Sequence, residues 1–233
     1  MSRLKEILTG RCRDHVIQFE SSHAVIHRDI EGALQSLRRH AKEAGFDLAI
    51  ASSFRDYNSQ LNIWNLKSQG KRAVLDSLGN PLDVSQLDKH TLVFAILRWS
   101  SLPGASRHHW GTDIDVFDRH SLPKGYQVQL IPKEAAPGGI LSSFNGWLND
   151  NMGRDGFFRP YAVDKGGVSP EWWHLSYAPI SQKYYEQFDL AFCQSALRDA
   201  EFEFKDVVME NLEEIYTKFI SNITLPENRS ASL

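Results

Sequence analysis

Two histidines and two carboxylates stand in a pattern that could hold a divalent metal: His108 with Asp115, then Glu171 with His174. Catalytic zinc takes three nitrogen or oxygen ligands and keeps a fourth position for water. His108, Asp115 and His174 can supply the three, and Glu171 can serve as the general base that takes a proton from that water. Fully extended, the chain from His108 to Asp115 would span ~23 Å, so it must double back, and Gly111 is the residue best suited to the bend. On a regular strand Glu171 and His174 would face opposite sides. Glu171 therefore belongs in the loop after Pro170, with His174 on the strand proper. Arg55 offers a fixed cationic fork to a tetrahedral oxyanion or a terminal carboxylate. Trp110, Trp172 and Trp173 adjoin these residues and can either wall a pocket or fill a core.

The elements that must position this set can be read from periodicity. From His27 to Ala44, apolar residues at Ile30, Ala33, Leu34, Leu37 and Ala41 have helical spacing, and Gly45 follows as a stop. Residues 46–53 read as a short buried strand, with a helix starting near Asp56. Residues 70–85 read as a loop and 86–100 as a helix. The alternation after Gly111 predicts a strand, Tyr126–Ile131 a second, Gly139–Met152 a helix, and Glu171–Tyr177 a further strand. From Ile180 the chain reads as helical in two pieces, with a polar tail from Pro226. Helices and strands alternate without a βαβ rhythm or repeat, which implies an α+β fold. We expect a domain over residues 1–179 that carries this residue set, with a C-terminal helical extension, 180–233, packed on it.

Composition narrows the classes. With 233 residues and 42% hydrophobic content, the chain can build an ordinary globular core. A net charge of -3 lacks the basic excess of a nucleic-acid binder. Cys12 and Cys193, far apart, make neither a disulfide framework nor a thiolate zinc site. No stretch approaches the ~18 apolar residues of a membrane span, and the N-terminus lacks an apolar signal core. The expectation is a cytoplasmic protein as encoded, with export by a non-classical or phage lysis route as the alternative. The sequons at Asn222 and Asn228 are then chance matches. His109 should point away from the ligand set, and Ser52 and Ser53 lack the Gly-x-Ser-x-Gly elbow of a nucleophile.

Taken together, Ser106-x-His108-x-x-Gly111-x-x-x-Asp115 followed by Glu171-x-x-His174 resembles the zinc metallopeptidases typified by the vancomycin-resistance D-alanyl-D-alanine carboxypeptidases and dipeptidases. Lysostaphin-type enzymes and the hedgehog domain belong to the same wider group. Ser52-Ser-Phe-Arg55 with Gln60 matches the family's upstream block, so the resemblance covers roughly residues 27–177. It implies a small, mainly antiparallel sheet flanked by helices, and one zinc ion held by His108, Asp115 and His174. It also makes Glu171 the base and Arg55 the oxyanion or carboxylate partner, with Ser106 and Gln60 binding substrate; Trp172 and Trp173 alternate faces, and Trp172 is the one expected to line the substrate cleft. The implied reaction is removal of the terminal D-alanine from a peptidoglycan stem peptide or precursor. A lysin-like L-Ala-D-Glu endopeptidase and a non-catalytic zinc-stabilised peptide-binding module are the alternatives. The sequence departs from the pattern at Asp113, where the family carries alanine. Asp113 could orient a histidine, be an ordinary salt-bridged carboxylate, or take Asp115's place on the metal.

Overall fold

In chain order, helix α1 (Arg3–Leu8), capped by the Ser2 hydroxyl, leads into a hairpin of β1 (Val16–Gln18) and β2 (Val25–His27). Helix α2 (Glu31–Glu43) buries Leu34, Leu37 and Ala41, the single stripe that a 3.6-residue period produces. Strand β3 (Leu48–Ser52) ends just before Asp56, whose carboxylate accepts the Ser59 N–H at 2.8 Å and starts α3 (Tyr57–Ser68). Asp88 caps α4 (Lys89–Leu97) in the same way. Strand β4 (Asp113–Asp118), the single turn α5 (Pro132–Ala135) and α6 (Ser142–Asn151) follow, then β5 (Phe157–Phe158) and β6 (His174–Tyr177). Helices α7 (Ala178–Gln187), α8 (Leu190–Arg198), α9 (Lys205–Glu210) and α10 (Leu212–Ile215) come last. This computed structural model describes residues 2–20 and 22–226; the sequon at Asn228 lies outside them.

The four-stranded sheet runs β3-β4-β6-β5, every neighbouring pair antiparallel. Its alternation sorts side chains by chemistry. Ile114, Val116 and Leu175 point to one face and join Leu34, Leu37, Phe144 and Leu148 in a closed apolar core under α2 and α6. Asp113, Asp115, His174 and Ser176 occupy the other face, as the pairs Asp113↔Ser176 and Asp115↔His174 require. A second core joins Leu8, Trp64, Val93, Ile96 and Trp110 to Phe188, Cys193, Leu197, Val208 and Ile215. The C-terminal helices are thus packed against α1, α3 and α4. The fold is α+β, a small antiparallel sheet flanked by helices.

Three segments differ from the sequence reading. Residues 126–131 form no strand; the Glu134 carboxylate accepts the N–H groups of Gln129 and Leu130 at 2.9 and 2.8 Å. A side chain has taken the place of a neighbouring strand. Beyond Tyr177 the chain breaks into more than two helical pieces, since Asp189 caps a fresh start at Leu190 and Phe204 sits at φ +60° before Lys205. Helix α1 and the β1-β2 hairpin are too short for periodicity to reveal.

Gly111 closes the 3-10 turn Arg107–Trp110 at φ +69°, and its carbonyl accepts the His27 N–H at 2.8 Å. A Cβ there would meet Val16 Cγ1 at 2.7 Å and His27 N at 2.8 Å. Gly111→Ala is therefore expected to lose about 2–4 kcal/mol through left-handed strain and overpacking. A melting temperature lowered by roughly 5–15 °C checks this; an unchanged one would show that the bend tolerates a side chain.

Candidate metal centre and active site

The bend at Gly111 sets His108 beside Asp115. The His108 Nδ1 lies 3.1 Å from the Ser53 carbonyl, an acceptor only, so Nδ1 carries the proton and Nε2 keeps its lone pair. That Nε2 faces Asp115 Oδ2 at 3.4 Å. Across the β4-β6 pair, His174 turns Nδ1 to Asp115 Oδ1 at 3.3 Å and to Glu171 Oε2 at 3.2 Å. Glu171 lies in the turn before β6, where its N–H donates to the Tyr161 carbonyl and its own carbonyl accepts the His174 N–H. One ligand atom from each of His108, Asp115 and His174 falls within 4.8 Å of the others, and all three residues are buried.

This geometry fits a metal such as zinc on the chemistry of its donors. Asp115 Oδ1 and His174 Nδ1 are sealed from solvent and have no hydrogen-bond partner, a costly state for buried polar atoms unless a cation fills the space. Burial pushes His108 down to about 4, so at neutral pH it is an uncharged ligand. Burial opposes charge on His174 as well, yet its hydrogen bond to Asp113 and the adjacent Asp115 and Glu171 carboxylates raise its pKa well above the ordinary histidine value. The cluster pulls in positive charge, which a proton or a metal can supply. Burial likewise raises Glu171, assisted by the nearby Asp115 charge, whereas Asp115 is held below the usual carboxylate range despite its burial, chiefly by His108 and His174.

Arg55 follows β3, and its backbone is held at both ends. Its N–H donates to the His108 carbonyl at 3.0 Å. Its carbonyl accepts from His109 Nδ1 at 2.6 Å, while His109 Nε2 accepts the Gly104 N–H at 3.0 Å. His109 thus points away from the ligands, as expected, and braces the arginine. The Arg55 guanidinium donates to Gln60 Oε1 at 2.9 Å and Ser52 Oγ at 3.0 Å. Gln60 is fully buried and also donates to the Ser101 carbonyl, so this amide aims Arg55. Ser106 is buried at the start of the 3-10 turn. Trp172 is half-buried, its carbonyl accepting from Arg159 Nε at 2.6 Å. It borders a groove of about 1220 Å³ that runs past Phe158, Asn145 and Gln182. Trp173 packs inward.

Asp113 is absent from the ligand cluster and meets His174 from behind, at Nε2. Its partners escaped sequence reasoning because Ser176 becomes a neighbour only through strand pairing and Arg107 only through the bend at Gly111. Lys67 escaped as well, although it falls two helical turns after Gln60 on α3, a spacing that repeats a helix face.

Residues 23–180 match the family VanY, D-alanyl-D-alanine carboxypeptidase. The chain belongs to this family. Two uncharacterized proteins of Haemophilus influenzae are relatives: one is 42% identical over 105 residues, covering 44% of this chain and 72% of that protein. The other is 32% identical over 121 residues, covering 51% and 92%. Among solved structures, a mutant of the vancomycin-resistance D,D-pentapeptidase VanY in complex with Zn(II) superposes with a TM-score of 0.53. It is 24% identical, and the match covers 76% of this chain and 87% of that one. VanYB in complex with D-alanine-D-alanine gives 0.52 at 22% identity, covering 80% and 89%. At these identities the likeness is one of fold.

Lys67 is 6% exposed, and its ammonium feels Arg72, Glu171 and Arg55. Burial is the main cause that lowers its pKa from 10.5 to about 8. Below about pH 8 the ammonium is charged in both folded and unfolded chains, and the folded state bears its desolvation. Between about 8 and 10.5 the folded chain releases the proton first, so this group's contribution to stability rises with pH. Lys67→Met should therefore be more stable than the parent at pH 7, by at most about 3 kcal/mol. The gain should shrink above pH 8 and vanish near pH 10.5. Parallel denaturant titrations at several pH values check this; a gain independent of pH would contradict it.

Proposed function

We propose that this protein is a zinc-dependent peptidase of peptidoglycan that releases the terminal D-alanine from stem peptides ending in D-alanyl-D-alanine. The observation that carries the reading is the convergence of His108 Nε2, Asp115 and His174 Nδ1 with the Glu171 carboxylate at their edge. Membership of the VanY family supports the substrate class. Zinc held by these three residues would supply Lewis acidity, lowering the pKa of water and polarising the scissile carbonyl.

The protein's own groups then have distinct tasks. Among the described residues no backbone donor is fixed on the Glu171 carboxylate, and burial raises its pKa above the ordinary carboxylate value, the direction that suits a general base. It takes a proton from the attacking water and delivers it to the leaving amine. Arg55, tethered through Gln60 and Ser52 and feeling the charges of Asp115 and Glu171, presents a pre-oriented cation to the developing oxyanion or to the substrate's terminal carboxylate. Trp172, next to Glu171 in the chain, would contact the peptide beside the scissile bond. The burial of the site strengthens each of these interactions relative to water.

A stem pentapeptide ending in D-alanyl-D-alanine, incubated with the zinc-loaded protein, should release D-alanine. Glu171→Ala should retain zinc and lose about 10²–10⁴ in kcat. Arg55→Ala should lower kcat if the arginine meets the oxyanion, and raise KM if it holds the carboxylate. A product mass showing an internal cut would replace this reading with an endopeptidase. Bound zinc without cleavage of any stem peptide would replace it with a binding module.

A further inference from the structure

Asp113 is 0% exposed, and every side of its carboxylate is used. Oδ1 accepts from Arg107 Nε at 2.7 Å and from His174 Nε2 at 3.0 Å. Oδ2 accepts from the Thr112 hydroxyl at 2.7 Å and the Ser176 hydroxyl at 3.0 Å. Arg107 Nη2 donates to the same Ser176 hydroxyl at 2.7 Å and closes the ring, while the guanidinium lies over the Trp110 ring at 4.7 Å. The register explains why these groups meet. Asp113 pairs with Ser176 and Asp115 with His174, so the side chains form a square on one face of β4 and β6.

A buried Arg–Asp pair is a poor way to stabilise a fold, because two desolvated ions commonly do no better than apolar side chains of the same volume. The group that gains from the carboxylate is His174. Fixing the proton on Nε2 leaves the Nδ1 lone pair facing Asp115 and Glu171, where a metal ligand is needed. Arg107 matches the charge of Asp113, which lets the carboxylate stay ionised in the interior.

We infer that Asp113 is a positioning residue for the metal site, holding His174 in the ligating tautomer and orientation, with Arg107 as its built-in counter-ion. The inference rests on the metal-site reading above, and its test is separable from that reading because it measures zinc binding and not turnover.

Zinc affinity is measured by competition with a fluorescent chelator for the parent, for Asp113→Asn, and for the double variant Arg107→Met with Asp113→Ala. The double variant removes both charges together and leaves no orphaned ion to unfold the chain. We expect its zinc Kd to rise about 10- to 100-fold, the scale for losing a ligand-orienting partner, with a lowered melting temperature of the zinc-free protein, because the His174 Nε2, Thr112 and Ser176 donors lose their buried acceptor. Asp113→Asn keeps an acceptor for His174 without the charge and should fall between the two. A shifted visible spectrum of the cobalt-substituted double variant would report the altered ligand geometry directly. If the double variant folds and binds zinc as the parent does, Asp113 is structural only and the inference fails. If it does not fold, Asp113→Asn decides: parental affinity overturns the inference and weakened affinity upholds it. A parent that binds no zinc sinks the metal-site reading itself, and the inference with it.

Discussion

The structure depends on an excess of buried negative charge at one point of a small sheet. Asp115 and Glu171 converge on His174 within 3.3 Å, and Asp113 reaches its other nitrogen at 3.0 Å. Arg107 compensates Asp113, and Arg55 lies near the other two carboxylates without forming an ion pair to either among the described residues. Such an arrangement is costly in an interior unless a further cation completes it. Asp115 Oδ1 and His174 Nδ1, without a hydrogen-bond partner among the described residues, are the atoms such a cation would meet. The surrounding architecture reads as the means of keeping these groups together when the protein is empty and of orienting them when it is loaded.

Backbone supplies most of that orientation. The antiparallel β4-β6 pair fixes the separation of Asp115 and His174, and the Ser53 carbonyl selects the His108 tautomer. The left-handed residue Gly111 folds the chain back so that His108 can meet a strand begun two residues later. Arg55 is held through its own peptide groups by His108 and His109. Two neighbouring histidines therefore do different work: one offers a lone pair to the metal site, while the other, pushed down to about 3 by burial, is a neutral strut for the arginine. Little of this geometry depends on long, flexible side chains, which suits a site whose groups must be pre-positioned for reaction.

The sequence made the clustering of His108, Asp115 and His174 legible because its three blocks together resemble one family pattern, and because a single glycine could make the required bend. The helical stripe of α2 and the start of α3 at Asp56 were legible for local reasons, periodicity and capping. What stayed hidden was relational. The alternative roles of Asp113 could be separated only by the strand register that places Ser176 opposite it and by the turn that brings Arg107 beside it. The segment 126–131 has the composition of a strand, yet the Glu134 carboxylate takes its N–H groups. Lys67 carries no motif, and its burial near Arg72, Glu171 and Arg55 is a property of packing. Gln60 was read as a substrate contact; here its amide spans Arg55 and the Ser101 carbonyl.

The central claim is that two imidazoles and one carboxylate, with no thiolate, hold a zinc ion at this point of the sheet. X-ray absorption at the zinc edge of the loaded protein tests it most directly. The expected result is a first shell of nitrogen and oxygen at about 2.0–2.1 Å, with the outer-shell scattering of two imidazoles. A sulfur shell near ~2.3 Å would place the metal on Cys12 or Cys193, and that result, or a protein that retains no zinc, would contradict the account.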